Sequence, residues 1–275
     1  MIFEELTDLA ALAERHDVFL VDQFGVLHDG VAPYPGAVEA LAALKAAGKR
    51  VVLLSNSGRR ASVNEERLVG LGFLPGTWDL FLTSGEVAWR RLSGGLGEPA
   101  VRPGTRCLLI ARGGDRSAVD GLDLTLVDDG RDAEIVLLSG SDGDTVPLER
   151  YRALLEPAAA AGAPCLCTNP DKIMLTPVGP RFGAGAIADL YAELGGAVTW
   201  IGKPYPEIYR VALDAMGNPA PDRAVAIGDS IEHDIAGAKG VGIAASLVRS
   251  GILADLSPGE LRALCRHHGA EPDTV

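Results

Sequence analysis

Three short apolar runs, each ending in a polar turn, set the limits on what this chain can fold into. Val18-Phe19-Leu20-Val21 ends at Asp22, Val51-Val52-Leu53-Leu54 at Ser55-Asn56, and Ala224-Val225-Ala226-Ile227 at Gly228-Asp229. Runs of this length without polar alternation read as strands buried on both faces, which is the habit of a parallel sheet covered by helices. Stretches with helical spacing lie between them: Val38, Leu41 and Leu44 before Gly48, a second from Ser62 to Gly70, a third from Ala186 to Leu194, and a fourth ending near Ala215. The alternation predicts an α/β fold, and in an open sheet of that class ligands bind at the carboxyl ends of the strands. Asp22 stands at such an end, although a single aspartate there also suits a helix cap or a turn.

The chain has 275 residues, 47% of them apolar, which suits one large domain or a core with an inserted one. Its 37 acidic and 25 basic residues leave a net charge of -12, with no basic tract to offset it locally. That field opposes non-specific association with nucleic acid or an anionic membrane, so neither is expected as a partner. Glu4, Glu5 and Asp8 stand where a secretory leader would be basic, and Met1 to His16 reads as an amphipathic helix. No apolar run nears the roughly 18 residues needed to cross a bilayer, so a cytoplasmic protein is expected. Cys165 and Cys167, two apart on a predicted strand, read as small core or surface residues, not ligands.

Further strands are predicted at Phe81 to Thr83, Cys107 to Ala111, Glu134 to Ser139 and Pro164 to Thr168, with an Asp-rich loop from Val127 to Asp132. The pattern changes between about Trp89 and Pro180, as a separate small α/β layer would require. Near the end, Ser257, Pro258 and Glu260 spell a capping box at the start of a closing helix.

Four polar sites follow the apolar runs or tight turns: Asp22, Ser55 with Asn56, Lys203, and Asp229 with Asp234. In a parallel sheet the ends of successive strands lie side by side, so residues far apart in sequence can share one crevice. Asp22 and Asp229 together can hold a hard divalent cation that prefers oxygen and keeps several waters, as Mg²⁺ does, with Asp234 completing or orienting the shell. Lys203 would offset the clustered acids and the charge of a phosphoryl group, while Ser55 and nearby backbone N–H groups donate to its oxygens. Asp22 is then free to attack phosphorus.

These residues resemble, in order, the four signature motifs of the haloacid dehalogenase superfamily. Asp22-Gln-Phe-Gly-Val-Leu is similar to the first, Leu54-Ser55-Asn56-Ser57 to the second, Gly202-Lys203-Pro204 to the third, and Gly228-Asp229-Ser230-Ile-Glu-His-Asp234 to the fourth. The long insert between the second and third motifs, Thr168-Asn-Pro-Asp171 and Gly202-Lys-Pro-Tyr-Pro-Glu207 resemble the branch typified by NagD-like and p-nitrophenyl phosphatases. The resemblance implies a Rossmann-like doubly wound core from residues 1–87 and 181–275 and an inserted α/β cap at 88–180. It implies a Mg²⁺-dependent phosphatase acting on a small phosphorylated metabolite through an aspartyl-phosphate at Asp22. Ser55, Asn56, Ser57 and Lys203 would hold the phosphate, and Asp171 is a substrate contact by resemblance, although a turn aspartate after Pro170 is the plain alternative. A homodimer is a possible assembly for such a capped protein.

The chain departs from the pattern at Phe24. Phosphatases of the superfamily carry there a second Asp that protonates the leaving oxygen and activates water, and a phenyl ring can do neither; such assistance is typically worth ~10²–10⁴-fold. The Phe24 backbone carbonyl could still join Asp22, Asp229 and Asp234 at the metal, since that role does not depend on the side chain. His28 is a possible substitute acid/base because its ordinary pKa lies near neutrality; a solvated or loop-stabilising histidine is the alternative. Two other readings follow from Phe24. One is a metal-independent dehalogenase-like hydrolase, against which the acids at 229 and 234 speak; the other is a catalytically weak phosphometabolite-binding protein.

Overall fold

A computed structural model describes residues 9–96, 101–176, 179–250 and 253–275. In chain order its strands are β1 (Val18–Asp22), β2 (Arg50–Ser55), β3 (Leu80–Thr83), β4 (Thr105–Ile110), β5 (Leu124–Val127), β6 (Ile135–Leu138), β7 (Cys165–Cys167), β8 (Ile173–Thr176), β9 (Gly179–Phe182), β10 (Val198–Trp200), β11 (Ala224–Gly228) and β12 (Ala244–Leu247). The chain divides into two compact units. One comprises Met1–Ser55, Glu65–Leu82 and Lys203–Val275, the other Asn56–Asn64 and Thr83–Gly202.

The first unit is built on a five-stranded sheet in the order β12-β11-β1-β2-β3. β1 runs parallel to both β2 and β11, and β11 parallel to β12. The three apolar runs are its three central strands, and Val18, Phe19, Val51, Leu53, Ala224 and Val225 are fully or almost fully buried, as strands covered on both faces must be. From β1 the chain steps outward to β2 and β3, whereas β11 and β12 lie on the other side of β1. The order therefore reverses between β1 and β11, and that switch point is where a doubly wound sheet opens a crevice at its carboxyl edge.

The second unit has its own parallel sheet, β10-β7-β6-β4-β5, and an antiparallel pair, β8-β9. Its core gathers Leu108, Val136, Leu138, Leu155, Cys165, Cys167, Ile187 and Tyr191. Both Cys165 and Cys167 are buried, and burial pushes their thiols up, away from reactivity.

The helices fall close to their predicted ranges, at Ala37–Ala46, Ala61–Gly70, Ala184–Glu193 and Pro206–Ala215. The capping box forms around Ser257 and Glu260 at the start of helix Pro258–His268. Of the helix predicted from Met1 to His16, Leu9–Arg15 is helical, and residues 1–8 lie outside the described residues. Four strands did not announce themselves. β5 is a half-buried edge strand beside the acidic loop, β12 is the small-residue run Ala-Ala-Ser-Leu, and β8 and β9 expose much of their length.

Candidate active site

Every charged residue that the sequence singled out in the first, third and fourth motifs meets at the switch point of the first unit. Asp22 closes β1 opposite Leu54, so Ser55 stands one residue further along the neighbouring strand. Asp229 directly follows β11 on the other side. Between the carboxylates lies Lys203, only 3% exposed, whose Nζ is 2.6 Å from Asp22 Oδ1 and 2.7 Å from Asp234 Oδ1. One carboxylate oxygen from each of Asp22, Asp229 and Asp234 lies within 4.8 Å of the other two.

Local backbone chemistry fixes this cluster. After β11, Asp234 N–H and Ile235 N–H both donate to Ser230 C=O, at 3.0 and 3.1 Å. The second spans five residues, which makes a single wide helical turn over Ile231–Ile235, a distortion that recurs at functional sites. The turn swings Asp234 back over its own strand end, where Ser230 N–H donates to Oδ2 at 3.1 Å. A Cβ on Gly228 would sit 2.0 Å from the Asp234 carboxyl carbon, so only glycine admits this fold-back. Gly25, at φ +89°, plays the same part on the first loop, because a Cβ there would fall 2.0 Å from Asp229 Oδ2.

Among the described residues, three buried or half-buried carboxylates converge where the Lys203 ammonium bridges two of them. Burial pushes Asp22 up from the ordinary carboxylate range; Lys203 pulls it down, and Asp234 and Asp229 add to the rise. Burial alone would lower Lys203, but Asp22 and Asp234 more than offset it and keep the ammonium charged. A divalent cation among the three acids would offset their charge. The donor set is all oxygen and the acids converge within bonding distance of one centre, so these residues fit Mg²⁺.

On the loop after β1, the Phe24 ring is exposed and meets the His28 ring edge-on, with centroids 5.9 Å apart. His28 is buried, and its Nδ1 accepts from Gly30 N–H at 3.0 Å. Burial, helped by Arg67, holds its pKa down at about 4.

The remaining predicted residues belong to the second unit. Asn56 Nδ2 donates to Asp171 Oδ1 at 2.8 Å, and Ser57 C=O accepts from Gly85 N–H at 3.0 Å. Gly183 and Gly185 let the backbone pass within van der Waals range of Asp171 and Pro170 carbonyls, since a Cβ on either would stand 2.2 or 2.1 Å from them. Sequence reasoning missed Tyr209, fully buried on helix Pro206–Ala215, whose hydroxyl lies 3.2 Å from the carbonyls of both His233 and Asp234 and braces the wide turn. Its only sequence signal is its place beside Ile208 on the apolar face of that helix.

A doubly wound α/β unit with a strand-end aspartate, a buried lysine and two more carboxylates at its switch point has the layout of a carboxylate-based hydrolase. Comparison with known proteins agrees. Residues 19–125 match the model of haloacid dehalogenase-like hydrolases, and residues 200–274 match a second, HAD-hydrolase-like model. The chain is 30% identical over 236 residues to haloacid dehalogenase-like hydrolase domain-containing protein 2 of Rattus norvegicus, covering 84% of this chain and 83% of that one. It belongs to the haloacid dehalogenase-like hydrolases. It is also 29% identical over 250 residues to D-glycerol 3-phosphate phosphatase of Mycobacterium tuberculosis, covering 89% of this chain but spanning only 66% of that protein's length. A solved glycerol phosphate phosphatase from the same organism, in complex with magnesium, superposes with a TM-score of 0.70 at 28% identity over 87% of this chain and 70% of that one. The p-nitrophenyl phosphatase of Archaeoglobus fulgidus gives a TM-score of 0.74 at 29% identity, with 95% of each chain covered.

Proposed function

We propose that this protein is a Mg²⁺-dependent phosphatase of a small phosphorylated metabolite, with Asp22 as nucleophile and residues 88–180 as its inserted cap. The observation that carries the reading is Lys203 bridging Asp22 and Asp234 while Asp229 converges on the same point. Asp22, Asp229, Asp234 and the Phe24 carbonyl would hold the cation, which when bound supplies charge neutralisation for the incoming phosphoryl group. Lys203 keeps Asp22 ionised and oriented. Ser55, with the Asn56-Ser57 turn that follows it, supplies hydrogen-bond donors to the phosphoryl oxygens. The Asp22 carboxylate attacks phosphorus, the ester oxygen leaves with the bonding electrons, and water then cleaves the aspartyl-phosphate.

In this reading His28 holds the loop and is not the missing base. A neutral imidazole that accepts at Nδ1 carries its proton on Nε2, which leaves no free lone pair to take one from water. The enzyme therefore works without general acid assistance and is slow with poor leaving groups. The magnesium complex of the related mycobacterial phosphatase and the names of the other relatives support the metal and the reaction class. The exposed ring of Phe24 is the observation that favours a second reading, a weak or non-turning phosphometabolite binder. A cytoplasmic setting and a homodimer complete the proposal; fractionation and sedimentation velocity check them.

The test is phosphate release from a panel of glycerol 3-phosphate, 4-nitrophenyl phosphate and acetyl phosphate, with Mg²⁺ and with EDTA, on wild type and Asp22→Asn. Release that needs both Mg²⁺ and Asp22 is expected. Release that survives Asp22→Asn would remove the nucleophile from the reading, and silence on every donor would leave the binder and the metal-independent dehalogenase-like hydrolase.

A further inference from the structure

Phe24 is 45% exposed, yet its neighbours Gln23 and Gly25 are buried and the loop around it is tightly built. Leu27 N–H donates to Gln23 C=O at 2.7 Å, and Gly25 N–H to His28 C=O at 2.9 Å. Asp29 Oδ1 accepts from the N–H groups of Val31 and Ala32, both at 2.8 Å, and Arg67 donates to Gly30 C=O at 3.0 Å. Against this frame the ring is seated on two sides. The edge-on His28 ring, at 89° to it, supports one, and Gly30 the other, where a Cβ would come 3.0 Å from Phe24 Cε2 and where φ is +97°. A loop that merely tolerated an apolar residue would have no need of an oriented imidazole and a left-handed glycine beneath it. The ring thus lies against the loop on two sides, two residues from Asp22, with much of its surface in solvent.

We propose that Phe24 is a specificity-determining platform on which an aromatic leaving group stacks, so that the substrate is a phosphate ester or anhydride of a planar, aromatic alcohol or acid. The inference rests on the phosphatase reading and deepens it. The chemistry suits the residue. Asp22 forms its bond to phosphorus while the bond from phosphorus to the leaving oxygen breaks, and the electron pair departs on a phenolate or aromatic carboxylate. Resonance spreads that charge, into the ring of a phenolate or over the two oxygens of a carboxylate, so the departing oxygen needs no proton from position 24. Water then attacks the aspartyl-phosphate, giving inorganic phosphate and free Asp22, and one proton of that water passes to solvent.

The experiment compares 4-nitrophenyl phosphate with acetyl phosphate, two donors with good leaving groups of which only one carries a ring. The readout is the ratio of their kcat/KM values in wild type, Phe24→Leu and Phe24→Trp, with folding checked by circular dichroism. Loss of a ring-on-ring contact predicts a fall in the ratio of about tenfold in Phe24→Leu, carried mainly by KM for the aryl ester, and a ratio close to wild type in Phe24→Trp. An unchanged ratio in Phe24→Leu, with both donors still turned over, overturns the platform and leaves the phosphatase reading intact. If wild type turns over neither donor and gains no phosphoryl mass from acetyl phosphate, the phosphatase reading fails and the platform with it.

Discussion

Asn56 Nδ2 donates to Asp171 Oδ1 at 2.8 Å, which ties the residue after the second-motif serine to the loop after β7. The same amide is boxed in by Gly202, where a Cβ would stand 2.8 Å from Asn56 Oδ1. The resemblance implied a substrate contact at Asp171, with a turn aspartate as the plain alternative; we propose that it positions Asn56 through this bond. Asp171→Ala should lower kcat about 10- to 100-fold, the range for a lost hydrogen bond to a charged group, whereas Asp171→Asn, which keeps an acceptor oxygen, should stay within a few-fold of wild type. If both variants instead raise KM equally with kcat preserved, Asp171 is a substrate contact.

Lys203 is bonded to both Asp22 and Asp234. Replacing it by Met leaves buried carboxylates uncompensated, a class of change that destabilises by about 3–5 kcal/mol. Urea unfolding in EDTA should show a loss of that order, and saturating Mg²⁺ should recover part of it by supplying positive charge. A loss that Mg²⁺ leaves untouched would mean that the acids do not form the metal site.

Much of this was legible in the chain, for a physical reason. The central strands are fully buried, so their four-residue apolar runs stand out, and the residue that ends each run must lie at the sheet's carboxyl edge; hence Asp22, Ser55 and Asp229 could be placed before any coordinates. What failed to show was set by tertiary context. Edge strand β5 and small-residue strand β12 lack the apolar signal, because one is half solvated and the other packs through its smallness. The support of Asp234 by Tyr209 joins residues 25 apart on separate elements, and the fate of His28 depends on burial and on one backbone N–H, neither of which a sequence displays.

Mg²⁺ should stabilise the wild-type protein by binding the folded state alone. At a concentration 100 times Kd the gain is about 2.7 kcal/mol. Thermal melts with and without Mg²⁺ should separate for wild type and coincide for Asp229→Asn, which removes one of the three converging acids. A full shift in the variant would place the ion elsewhere.

The loop that carries Phe24 should be sensitive to acid through His28. Its pKa in the fold is held near 4, below the ordinary 6.5, by burial first and then by Arg67, so the folded protein keeps it neutral. Between those values the unfolded chain binds the extra proton, and stability must therefore fall as pH drops from about 6.5 towards 4. Asp22, raised in the metal-free protein, acts with the opposite sign over part of this range, but it does so equally in any His28 variant. His28→Leu removes the titrating group together with the acceptor for Gly30 N–H, a bond worth about 1 kcal/mol at neutral pH. Urea unfolding at pH 7.5, 6 and 5 should then show wild type more stable at the top of the range and the gap closing as pH falls. A gap that stays constant across the three would show that His28 is not held neutral in the fold, and the view of this histidine as a neutral support for the Phe24 ring would have to be given up.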